Sequence, residues 1–111
     1  YVGNGNADGP FIYTGFAPAW ILFKNKSATQ NWFILDNKRD DGFNPRNSYI
    51  MPNQNSSEDA NNSTVDTDFL SNGFKLRATT GALNASGETL IYMAFAEHPF
   101  VSSEGVPCTA R

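Results

Sequence analysis

Apolar residues gather in short runs between stretches rich in Gly, Asn and Ser, and the runs follow the two-residue period of β-strands. Ala19-Trp20-Ile21-Leu22-Phe23-Lys24 and Asn31-Trp32-Phe33-Ile34-Leu35-Asp36 are apolar at both alternating positions, as strands covered on both faces are. A short polar connector, residues 25–30, separates them, so the pair predicts an antiparallel hairpin. Phe11-Ile12-Tyr13-Thr14 predicts a strand before it, and Tyr49-Ile50-Met51 a short one ahead of Pro52. Asp68-Phe69-Leu70 and Phe74-Lys75-Leu76-Arg77 flank Ser71-Asn72-Gly73, whose Asn-Gly pair is a hairpin-turn signal. In the second of these runs Phe74 and Leu76 are expected to face the core, and Lys75 and Arg77 water. The longest β-prone run is Thr89-Leu90-Ile91-Tyr92-Met93-Ala94-Phe95-Ala96, which ends before Pro99 because proline lacks a ladder donor.

The intervening segments are polar. Residues 1–10 carry Gly3, Gly5 and Gly9; Gly3-Asn4-Gly5 lacks the lysine, strand and helix of a phosphate loop and reads as a turn. Residues 37–47 are charged and turn-rich, and residues 79–88 hold Gly81 and Gly87. Residues 53–67 form a polar stretch long enough to be functional, locally mobile or partly helical, with Ser57-Glu58-Asp59-Ala60 able to make one turn. No helix of ordinary length fits anywhere. The expected fold is all-β: a small antiparallel β-sandwich or meander with long polar loops and little or no helix, in one domain spanning the 111 residues.

Composition narrows the chemistry. Aromatic residues reach 14% and charged residues only 17%, below the roughly 25% of ordinary domains, so Asn, Ser, Thr and Gly build the polar surface. A net charge of −3 and scattered cations argue against a nucleic-acid partner, which needs a basic stripe. No apolar run approaches a membrane span, so membrane insertion is not expected. Cys108 is the only cysteine, which excludes an intrachain disulfide and leaves a free thiol or a link between subunits. With His98 the lone histidine, no cofactor or metal site is expected. Asp66 and Asp68 offer too few oxygens at fixed spacing for a calcium loop.

The ordered blocks resemble a known family. Gly15-Phe16-Ala17-Pro18-Ala19-Trp20 through Lys24, Asn31 through Arg39, Asp68 through Arg77, Asn84-Ala85-Ser86-Gly87, and Ile91 through Phe100 together resemble a C-terminal module of tail-fibre and other structural proteins of tailed phages, notably of marine and cyanobacterial hosts. The resemblance implies an external virion structure, a homotrimer, and other virion proteins as partners, with a host surface glycan as a possible target. It also implies that Arg111 is the natural end of a longer chain and Tyr1 an internal position. It supplies no catalytic residues.

Candidate sites come from the residues themselves. Asp36, Asp40, Asp41 and Glu97 could pair as glycosidase carboxylates, but Lys38 and Arg39 stand beside Asp36 as ion-pair partners, and so small a body offers little room for a sugar-sized cleft. No nucleophile motif accompanies His98, which is expected to pack or bond at a strand end. An enzyme is therefore not expected. Trp20, Phe23, Trp32, Phe33, Tyr92 and Phe95 lie in strands with two apolar faces, read as core on one face and subunit contact on the other. Aromatics in loops are better sugar platforms: Tyr13, Phe43 and Tyr49, with Asn44 and Asn47 near by, are the candidate ligand-binding residues. Asn25, Asn55, Asn61, Asn62 and Asn84 begin Asn-x-Ser/Thr triplets, read as composition. The expected function is a virion structural domain of the distal tail fibre, presenting residues 37–47 and 53–67 in host attachment. The alternatives are a purely architectural virion module and, third, a glycan hydrolase.

Overall fold

The computed structural model describes residues 1–98 and 100–106. Two three-stranded antiparallel sheets pack against each other, so the all-β expectation holds. One sheet has β1 (Phe11–Tyr13), β4 (Thr67–Leu70) and β5 (Gly73–Leu76) in the order β1-β5-β4. The other has β2 (Pro18–Asn25), β3 (Trp32–Asp36) and β6 (Leu90–Ala96) in the order β3-β2-β6.

The core lies between the sheets. Ile21, Phe23, Phe33, Leu35 and Leu90 from the longer-stranded sheet meet Ile12, Phe74 and Leu76 from the other. Phe23 and Phe74 join them edge to face at 5.4 Å, and burying each such ring contributes about 2–3 kcal/mol. Strand alternation does the sorting: in β5 Phe74 and Leu76 are buried, while Lys75 turns out to Asp8 at 2.5 Å.

Three local expectations change. Gly73 begins β5 rather than completing the turn, and the Ser71-Asn72 connection has no positive φ. Gly73 is needed because a Cβ there would collide with the Ile12 carbonyl of the neighbouring strand. The helical turn in the long polar stretch is a 3₁₀ turn at Ser63–Val65, capped by the Asn62 side chain, not at residues 57–60. Asp59 instead pairs backbone to backbone with Tyr49. Finally, residues 49–51 form no strand of their own; Ile50 makes a single bridge to Ile34, extending the β3 edge.

Two asparagines read as composition are structural hubs. Fully buried Asn84 accepts from the Asn4 N–H at 3.0 Å and donates to the carbonyls of Asn6 (2.9 Å) and Ala78 (2.8 Å). Buried Asn25 accepts from the N–H groups of Ser27 and Ala28 and donates to Gly81 and Glu88, closing the β2–β3 connector.

Candidate functional site

The five expected binding residues do not form one cluster. Tyr13 is 69% exposed on β1, while Asn44 sits beside Phe69 on β4, the opposite edge of that sheet. Tyr49 is a core residue instead, 7% exposed: its ring meets Phe33 at 5.2 Å and its hydroxyl donates to Asp59 at 2.8 Å. Burial first, then the Asp59 carboxylate, pushes its pKa up to about 12. The residue lies where the chain returns past β3, and its one polar atom is satisfied, so neither ring face is free for a sugar. Asn47 is half-buried and uses its carbonyl to accept from the Asn62 N–H at 2.9 Å.

Phe43 remains, at 79% exposure, with Asn44 beside it. The loop that carries it is fixed at several points. Arg46 and Asp40 pair at 2.5 Å with nearly enclosed side chains, and Arg46 also donates to the Gly42 carbonyl at 3.0 Å. The Arg46 backbone exchanges both hydrogen bonds with Thr67 at the start of β4. Asn44 acts as a short piece of strand: its side chain donates to the Phe69 carbonyl and accepts from the Phe69 N–H, both at 2.9 Å. An exposed aromatic on a braced loop is pre-organised for contact.

Of the four acidic groups weighed as a catalytic pair, Asp36, Asp40 and Glu97 are held in ion pairs and Asp41 is exposed. Asp36 is held by Arg39 at 2.7 Å, and Arg39 reaches on to Glu58 at 2.7 Å, lining an open hollow with Lys38. Burial disfavours the Arg39 charge, but the bonds to Glu58 and Asp36 outweigh it and raise the guanidinium pKa. Lys38 turns to Glu97 at 3.4 Å. His98 is exposed rather than packed. Among the described residues no three His, Cys, Asp or Glu side chains are placed to hold a metal ion. Cys108 lies outside the described residues.

The largest unexplained feature is the outer face of the β3-β2-β6 sheet. Ladder register places three rows across it: Asp36·Trp20·Phe95, then Ile34·Leu22·Met93, then Trp32·Lys24·Ile91. Phe95 is 56% and Met93 54% exposed, with Ile91 and Trp32 exposed as well. Trp20 and Phe95 meet edge to face at 5.4 Å. Leu22, Trp32, Ile91, Tyr92 and Met93 enclose an apolar depression of about 160 Å³. These exposed apolar side chains lie side by side on one face rather than scattered singly, the pattern that marks a contact surface. Of the aromatics read as core or contact, Phe23 and Phe33 are core, Trp20, Trp32 and Phe95 lie on this open face, and Tyr92 packs inward on Phe74 at 5.0 Å. Ile91 and Met93 were legible as members only through the unbroken apolar run of β6.

No curated protein and no solved structure matches the chain. A family described as a domain of unknown function, DUF7483, matches residues 1–99, and the chain belongs to that family.

Proposed function

We propose that the chain is a non-catalytic structural domain of a virion, of the tail-fibre type, that takes part in host attachment through the braced loop carrying Phe43. The observation that carries this reading is the contrast within that loop. Phe43 projects almost fully into solvent, yet Asp40, Asn44 and Arg46 tie its neighbours to the sheet. A fixed loop loses little conformational entropy on binding, and an aromatic face beside amide groups suits the apolar faces and hydroxyls of a glycan. The tail-fibre resemblance adds a homotrimer and other virion proteins as partners, in an external virion structure.

The test is retention of the labelled chain on a panel of bacterial surface polysaccharides, with Phe43→Ala alongside. Saturable retention that Phe43→Ala abolishes supports the reading. Absence of retention on every polysaccharide moves the function to the second reading, a purely architectural virion module. That reading draws on the open apolar face of the β3-β2-β6 sheet, which is a contact surface without need of any glycan.

A further inference from the structure

Three of the four sheet edges are short or covered, and the fourth is neither. β1 offers an edge of only three residues. The β3 edge is bridged by Ile50 at Ile34, and the β4 edge is covered by Asn44 at Phe69 and by Arg46 at Thr67. β6, the remaining edge, runs Leu90–Ala96 and lacks the charges and proline that ordinarily blunt an exposed edge. Only its first residue is paired on that side. The Tyr1 amino group donates to the Leu90 carbonyl at 2.9 Å, the Leu90 N–H donates to the Tyr1 carbonyl at 2.8 Å, and Val2 is bridged antiparallel to Thr89. Tyr1 and Leu90 are thus a hydrogen-bonded pair of an antiparallel ladder. By the alternation of that ladder the N–H and C=O of Tyr92 and Ala94 also point outward, while those of Ile91 and Met93 turn to β2. Among the described residues nothing bonds to the outward groups of Tyr92 and Ala94.

We propose that the open edge of β6 is completed by the segment of the same chain that immediately precedes Tyr1, added as a fourth antiparallel strand of the β3-β2-β6 sheet. Direction selects this occupant. Tyr1 is already in register, and each residue before it steps one place along β6, so the second falls opposite Tyr92 and the fourth opposite Ala94. Those two residues exchange backbone hydrogen bonds with β6 and need their N–H groups, which excludes proline at both. Their side chains fall on the same side of the sheet as Tyr1, whose ring packs on Phe74 at 6.1 Å, so they are expected to be apolar. A strand from a separate molecule would have to start where Tyr1 ends, and would lose on association the freedom that a tethered segment has already given up. The added strand rests on the reading of Tyr1 as an internal position, which the tail-fibre resemblance implies, and is independent of glycan binding.

Amide hydrogen exchange in the full-length protein, compared with a version that begins at Tyr1, tests it, with near-ultraviolet circular dichroism to confirm folding. The Tyr92 and Ala94 amides are expected to exchange at least about tenfold more slowly in the full-length protein. Those of Ile91 and Met93, which face β2, are slow in both. Within the full-length protein, proline at the second residue before Tyr1 should restore fast exchange, and proline at the third, whose N–H points away from β6, should not. Equal exchange of Tyr92 and Ala94 in the two proteins, or protection that survives proline at the second residue, overturns the added strand, as does a natural chain that starts at Tyr1. Phe43-dependent retention on polysaccharide, measured on both proteins, is a separate readout. Retention without protection removes the strand and leaves the attachment reading; protection without retention does the reverse.

Discussion

Phe95 stands directly across the β2–β6 ladder from Trp20, and the two rings meet at 5.4 Å on a face with no protein above it in the single chain. Two positions away along β2, Leu22 lies on the same open face, while its neighbours Ile21 and Phe23 point into the core with no exposure. The two sides of one strand thus serve different ends, and mutations on them separate.

Phe23→Ala should cost about 3–5 kcal/mol in urea unfolding, because it empties space between two closed sheets. Trp20→Ala should cost the monomer less than about 2 kcal/mol, since part of its ring is already in water. Equal losses would mean that the outer face is as well packed as the inner one.

Asn84→Ala removes the only side chain that serves the Asn4 N–H and the carbonyls of Asn6 and Ala78 together. Leaving buried backbone groups unpaired should cost about 2–4 kcal/mol. Asn55→Ala, in the exposed part of the long polar loop, should change stability by less than about 0.5 kcal/mol. Thermal melts of the two variants check the contrast.

Asn84 also shows what was legible in the sequence and what was not. The β2–β3 hairpin could be read because its apolar residues are dense and its connector short. Asn84 could not, since its neighbours in space, Asn4 and Asn6, lie about 80 positions away in the chain and carry no periodic signal. Tyr49 looked like a loop aromatic for the same reason: its burial depends on Phe33 and Asp59, which only the folded chain brings to it. Gly73 was read as a turn residue from local chemistry, whereas the close approach of β1 is what requires it. Phe43 was found correctly as an exposed aromatic, but the bracing of its loop by Arg46 and Thr67 is tertiary.

Asp40→Ala leaves the Arg46 guanidinium largely enclosed without its counter-ion and should cost about 3 kcal/mol. Replacing both as Asp40→Leu with Arg46→Met should recover much of that loss. Denaturant melts of the single and double variants decide it; a harmless Asp40→Ala would show that the loop is not braced by this pair.

Tyr49 sets an alkaline limit. Its folded pKa of about 12 stands above the ordinary 10, so its contribution is complete below pH 10 and fades as pH rises toward 12. Tyr1, raised by burial, acts in the same direction. Melting temperatures measured across that window should therefore fall less steeply for Tyr49→Phe than for the wild type.

The open sheet face is expected to be covered when the protein is assembled. Hydroxyl-radical footprinting of the assembled chain, read by mass spectrometry at Met93, Trp20 and Trp32, measures this most directly. The expected result is strong protection of all three relative to a dilute, dissociated sample, with Phe43 labelled equally in both. Full labelling of Met93 in the assembled protein, at the level its 54% exposure in the single chain implies, would contradict it.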